Sequence, residues 1–256
     1  MSIPKIIHYC WFGGKPKPKL AEKCLQSWRR FCPDYQIIEW NEENFDVNAA
    51  PAYVRQAYEA GRWAFVTDYV RLKAMLDMGG IYMDTDVEVI KPLDPYLRHR
   101  AFAGFENPAD IQTGLLACEK GFPLFREFMD YYYTASFLRE DGSQDTTTNV
   151  RILTDLCVKR GLKQDGTRQT VDGFDIYPVD YFCPVDYDTE KLHKTRNTVV
   201  IHWFAASWHT EEERRFLEEE KKRLKRERQS QIRYSFFTKL LGEERYAKLK
   251  AIIKRH

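Results

Sequence analysis

The sequence predicts an α/β fold. Apolar runs of strand length alternate with stretches of helical spacing along most of its 256 residues, the signature of helices packed on a sheet. The composition agrees: 43% hydrophobic and 30% charged residues belong to a folded chain and exclude a disordered or fibrous one. A net charge of +2 gives no global field for nucleic acid. No run approaches the roughly 18 apolar residues of a membrane span.

The elements follow in order. Residues 5–12 read as a strand ended by Gly13-Gly14 and a Lys15-Pro16-Lys17-Pro18 turn. Residues 20–31 place Leu20, Cys24, Trp28 and Phe31 at helical spacing, and 36–40 form a short strand closed by Asn41. Pro51 suits the first residue of a helix that runs to Ala60 and stops at Gly61. Residues 64–78 carry Phe65, Tyr69, Leu72 and Leu76 along one stripe, with Gly79-Gly80 ending that helix. Strands at 81–83 and 87–90 flank Asp84-Thr85-Asp86. Further strands are expected at 101–105 and 115–118, helices at 122–135 and 149–160, and a last buried strand at 199–204. Residues 1–210 therefore read as one domain and 211–256 as a charged helical tail. The tail holds 15 Lys/Arg against 9 Asp/Glu, the remainder 25 against 29.

The six cysteines (Cys10, Cys24, Cys32, Cys118, Cys157, Cys183) form no CxxC pair, and no His clusters at zinc spacing. They read as reduced, buried thiols, which with the missing leader-like N-terminus predicts a cytoplasmic protein.

Asp84-Thr85-Asp86 is the first candidate for chemistry. Carboxylates at i and i+2 of an extended backbone point to one side. That pairing suits a hard divalent cation shared with a diphosphate. With 18 Asp in the chain, one Asp-x-Asp arises by chance about once, and Asp186-Tyr187-Asp188 is a second. The surroundings distinguish the first: Asp68 and Arg71 lie three apart on one helix face in an apolar, aromatic flank, where a buried pair can clamp sugar hydroxyls.

The run from Ala64 to Asp86 resembles the Asp-x-Asp sugar-transferase signature of glycosyltransferase family 32. That family includes bacterial capsule and lipopolysaccharide transferases and the yeast initiating mannosyltransferase, with clostridial glucosylating toxins as distant relatives. Two more segments carry the resemblance: Ile3 to Gly14 as an opening strand, and Ile201-His202-Trp203-Phe204-Ala205-Ala206-Ser207-Trp208 as a closing metal-and-phosphate segment. It implies a GT-A fold, a nucleotide-sugar-binding domain around a mostly parallel sheet, with retaining transfer and a Mn²⁺ or Mg²⁺ requirement. It also assigns roles. Trp11 stacks on the base and Asn41 lies near the nucleoside. Asp68 and Arg71 hold the donor sugar. Asp84 sits near ribose, sugar and metal, with Asp86 and His202 completing the metal ligands. Ser207 and Trp208 donate to the diphosphate. Gln112, with Glu106 and Asp110 nearby, is the candidate beneath the anomeric carbon; no residue declares itself a covalent nucleophile. Read from the residues alone, Trp11 also suits a core position and Asn41 a cap.

The expected activity is transfer from a nucleotide sugar, UDP-linked first and GDP-mannose second, to a saccharide or lipid-linked glycan acceptor. A haloacid-dehalogenase-type phosphatase is excluded because Glu88 stands where that pattern needs Thr. A non-catalytic nucleotide-sugar-binding subunit is the other reading. In the tail, Glu211–Arg215, Glu218–Lys222 and Glu219–Arg223 are i,i+4 pairs of a solvated helix. Ile232, Phe236 and Leu240 form a stripe with basic flanks, and residues 230–256 could lie on an anionic membrane surface or dock on protein.

Overall fold

Successive strand residues enter two different cores, one on each face of the sheet. The computed structural model describes residues 3–205, together with Arg215, Glu219 and Arg223. Its helices are α1 (Lys19–Phe31), α2 (Ala52–Glu59), α3 (Trp63–Met78), α4 (Pro123–Thr134), α5 (Asn149–Val158) and α6 (Val179–Phe182). The strands are β1 (Ile6–Cys10), β2 (Gln36–Trp40), β3 (Gly80–Met83), β4 (Val87–Val89), β5 (Ala101–Gly104), β6 (Leu115–Cys118), β7 (Gln169–Val171), β8 (Phe174–Tyr177) and β9 (Val200–His202). Along β3, Ile81 and Met83 enter one core while Tyr82 enters the other; on β6, Leu115 and Ala117 oppose Leu116 and Cys118 in the same way. The sheet is thus buried on both faces. Helices α2, α3 and α4 cover one side, and α1 with β4 and β9 the other.

Seven strands pair in the order β2-β1-β3-β6-β5-β8-β7. Only β6 and β7 run against the rest, so the sheet is mostly parallel in direction. The carboxyl ends of β1, β3, β5 and β8 consequently share one edge, where open α/β sheets bind ligands. Because β6 is antiparallel, the segment entering it, Gln112-Thr113-Gly114, arrives at that same edge.

Gly80 lets β3 close onto β1. At φ 119° it holds a conformation that suits glycine, and a Cβ there would lie 2.7 Å from the Ile6 carbonyl oxygen. Helix α1 fixes the neighbouring small sheet of β4 and β9. Trp28 is fully buried, its Nε1–H donates to the Val87 carbonyl at 2.7 Å, and the Val89 N–H donates to Ser27 Oγ at 2.9 Å. Trp28→Phe keeps an aromatic ring but leaves that carbonyl without its indole donor. The expected loss is about 1–3 kcal/mol of unfolding free energy, read by denaturant titration.

Several expectations need correction. Pro51 is the residue before α2, extended at ψ 157°, and not its first helical residue. The last strand spans Val200–His202 and pairs with β4 outside the main sheet. The hairpin of β7 and β8 and the short helix α6 were not foreseen. All six cysteines are free and buried, as their pattern implied. Among the described residues no helix is long and apolar enough to cross a membrane. Ser207, Trp208 and the amphipathic stripe of 230–256 lie outside the described residues; Arg215, Glu219 and Arg223 are helical.

Candidate active site

Asp84, Asp86 and His202 converge at the sheet edge. They are the only group of its kind among the described residues, with one ligand atom from each lying within 4.8 Å of the others. Asp84 leaves β3 with its N–H bonded to the Gly114 carbonyl at 2.8 Å. The chain then turns: Val87 N–H donates to the Asp84 carbonyl at 3.0 Å, so Thr85 and Asp86 lie in a tight turn and not on an extended strand. The turn is forced because the chain leaves the main sheet here to begin β4. The β4–β9 register sets His202 opposite Val87, one residue from Asp86. His202 Nε2 lies 3.3 Å from Asp86 Oδ1, and Asp86 Oδ2 accepts the Ala205 N–H at 2.8 Å.

Charge follows this geometry. Burial disfavours the charged imidazole, yet Asp86 overrides it and holds His202 well above its ordinary pKa. Burial alone would raise Asp86; His202 and the Ala205 N–H hold it below the usual carboxylate range. Asp84 is raised by burial against the pull of Arg71.

Two carboxylates and an imidazole form a donor set that suits Mn²⁺ or Mg²⁺. The surroundings fit a cation too. His202 Nδ1 is buried and has no hydrogen-bond partner among the described residues. Gly114 leaves the necessary room, since a Cβ there would stand 2.7 Å from His202 Cε1 and 3.2 Å from Asp84 Oδ2. Asp86 favours the protonated imidazole, whereas a cation needs the neutral ring, so binding should release protons. Calorimetry in buffers of differing ionisation enthalpy should record that release, with affinity rising as the pH is raised.

Beside this cluster lies a buried polar network. Arg71 Nη2 donates to Asp68 Oδ1 at 2.9 Å, and Asn149 Nδ2 donates to the same oxygen at 2.6 Å. Thr113 Oγ1 donates to Asn149 Oδ1 at 2.7 Å, and Arg71 Nη1 donates to the Thr113 carbonyl at 2.7 Å. The same Nη1 lies 3.5 Å from Asp84 Oδ1, which also accepts the Tyr82 hydroxyl at 2.8 Å. The guanidinium carbon sits 4.4 Å from the Tyr82 ring centroid, a cation–π contact. Arg71 thereby ties Asp68 of α3 to the carboxylate after β3. Burial raises the Asp68 carboxyl while Arg71 opposes the shift.

Gln112 is completely buried, and neither of its amide atoms has a partner among the described residues. Glu106 follows β5 at the same edge; burial raises its carboxyl, opposed by His202. Trp11 follows β1, half-buried, with Nε1–H donating to the Lys15 carbonyl at 2.6 Å and Lys17 Nζ 5.7 Å from its ring. Asn41 follows β2 and spends its side chain locally, accepting from Glu43 N–H at 2.9 Å and donating to Glu39 at 3.3 Å. The Asp84–Asp86–His202 cluster and the Asp68–Arg71 pair therefore meet, whereas Trp11 and Asn41 stand along the edge at the adjoining strands. Tyr82 and Asn149 were missed by sequence reasoning, and of the segment 111–116 that resembles the floor of the sugar site only Gln112 was given a role, not Thr113 or Gly114. Tyr82 is two residues before Asp84 on a strand, hence on the same side, which was a usable signal.

Residues 18–103 match the family described as "Glycosyltransferase sugar-binding region containing DXD motif". The chain is 30% identical over 129 residues to "Inositol phosphoceramide mannosyltransferase 3" of Schizosaccharomyces pombe, covering 48% of this chain and 35% of that protein. It is 28% identical over 116 residues to "Inositol phosphoceramide mannosyltransferase 1" of the same yeast, covering 40% and 33%. The matches thus span about a third of those relatives' length. Among solved structures, "PaToxG Glycosyltransferase" aligns with a TM-score of 0.48 at 15% identity, over 62% of this chain and 69% of that one. The matched span contains Asp68, Arg71 and the Asp84-Thr85-Asp86 turn. Residues 18–103 are thus similar to the glycosyltransferase sugar-binding region that carries the DXD motif.

Proposed function

We propose that this chain is a metal-dependent glycosyltransferase that moves a hexosyl group from a nucleoside-diphosphate sugar to a saccharide or lipid-linked glycan. The observation that carries the reading is the convergence of Asp84, Asp86 and His202 beside the buried Asp68–Arg71 pair. Asp84, Asp86 and His202 would hold Mn²⁺ or Mg²⁺. When bound, the ion supplies positive charge for the departing diphosphate. Asp68 and Arg71 bind sugar hydroxyls and fix the ring, which lowers the entropic part of the barrier. Gln112 offers its unspent amide beneath the sugar, and Ser207 and Trp208 would donate to the diphosphate.

The acceptor hydroxyl bonds to the anomeric carbon on the face that the diphosphate leaves, the carbon–oxygen bond to the diphosphate breaks, and the hydroxyl proton passes to the departing phosphate oxygen. A trapped sugar ester on Glu106 or Asp110, or an adduct on Gln112, would contradict that route. The names of the yeast relatives favour a mannosyl donor, GDP-mannose, over the UDP-sugars that the family resemblance puts first.

A panel of UDP- and GDP-sugars with Mn²⁺ or with chelator tests the reading. The donor should raise the melting temperature by mass action and undergo slow hydrolysis, both only with the ion. If no nucleotide sugar binds or hydrolyses with either ion, the reading fails. The same proposal places the enzyme on an anionic membrane face through residues 230–256; vesicle co-sedimentation unchanged by their deletion would contradict it.

A further inference from the structure

Phe204 is held at φ 51°, in the left-handed region that bulky side chains seldom occupy. The other two non-glycine residues described with positive φ, Asp172 and Glu190, are exposed, whereas Phe204 is half-buried. Such conformations persist where surrounding contacts impose them, and they cluster at functional sites.

The contacts here converge on two proposed metal ligands. Trp203 N–H, just before the bend, donates to the Asp86 carbonyl at 3.0 Å. Ala205 N–H, just after it, donates to Asp86 Oδ2 at 2.8 Å. Phe204 thus turns the chain so that one short segment grips both the backbone and the carboxylate of Asp86. Its ring meanwhile lies against the His202 imidazole, with centroids 4.2 Å apart and planes 32° from parallel. Tyr187 meets Phe204 at 5.3 Å, edge-on at 80°. Nδ1 makes no hydrogen bond among the described residues; Asp86 meets Nε2, the Cys183 thiol lies beside the ring, and Phe204 packs on its face.

We propose that Phe204 is a positioning residue of the cation site: its left-handed backbone orients the Asp86 carboxylate while its ring sets the plane of His202. The inference rests on the reading that Asp84, Asp86 and His202 hold a divalent ion. Groups that orient metal ligands typically govern affinity by 10–100-fold.

The test is Mn²⁺ titration of the full chain by calorimetry, alongside thermal unfolding of the metal-free protein. Phe204→Leu removes the aromatic face and should weaken Mn²⁺ binding by about 10–100-fold, while Phe204→Tyr should restore wild-type affinity. Phe204→Gly adopts the bend readily but lacks the ring, so it should fold as well as the wild type and still bind about tenfold more weakly. It therefore carries the test should the Leu variant fail to fold. Wild-type affinity in a folded Leu or Gly variant, or a Tyr variant as weak as Leu, overturns the inference and leaves the cation site standing. A wild-type chain that does not bind Mn²⁺ overturns the cation site and this inference with it.

Discussion

Replacing Asp86 with asparagine is expected to cut sugar transfer by at least about 100-fold, the upper end of what loss of a supporting partner costs a metal site. The substitution preserves volume and can still accept the Ala205 N–H, so the turn and the fold should survive. What it removes is charge. Asp86 is the closest acidic partner of His202, at 3.3 Å, and its main reason for holding a proton against burial. Without that charge His202 should titrate lower, and a cation would lose one carboxylate ligand. Donor hydrolysis measured with Mn²⁺ checks the loss, and Mn²⁺ calorimetry should show affinity falling with it. An Asp86→Asn protein with full activity would remove Asp86 from the site.

The second large effect is expected at Gly114. An added methyl would stand 2.7 Å from His202 Cε1, 3.0 Å from Nδ1 and 3.2 Å from Asp84 Oδ2. None of these is the loose end of a flexible side chain: His202 is buried against Phe204, and the Asp84 carboxylate is held by Tyr82 and Arg71. The backbone cannot yield easily either, since the Gly114 carbonyl accepts the Asp84 N–H just before β6 begins. Gly114→Ala should therefore displace two ligands together. Overpacking costs about 1–3 kcal/mol of stability, read by denaturant unfolding. Mn²⁺ affinity should fall by about 100-fold or more. Unchanged Mn²⁺ binding would show that the ligands face away from Gly114 when the ion is held.

Most of the fold was legible in the sequence because its signals are local. Gly79-Gly80 ended α3 where periodicity and glycine chemistry both placed the stop. The β7–β8 hairpin was equally local: Asp172-Gly173 is a turn dipeptide between alternating residues, both at positive φ. That signal was present and passed over. Asp86 illustrates a different failure. The period of a strand was carried past the end of β3 at Met83, across a turn that exists because the chain changes sheets.

The site was legible only in part, for reasons of distance along the chain. Asp68 and Arg71 share a helix face, so their pairing follows from spacing. Asn149 reaches Asp68 across 81 residues, and reads in sequence as a residue beginning a helix behind its Thr148 cap. Gly114 matters through what packs against it, and nothing near it in sequence declares that. His202 was assigned through resemblance, and its physical cause is the β4–β9 register.

The account stands on a cation held jointly by the Asp84-Thr85-Asp86 turn and His202. The most direct measurement is electron spin-echo modulation of Mn²⁺ bound to the full chain. It should show coupling to an imidazole nitrogen, and that coupling should vanish in His202→Ala. Bound Mn²⁺ with no nitrogen coupling, or with coupling that persists in His202→Ala, would contradict the assignment.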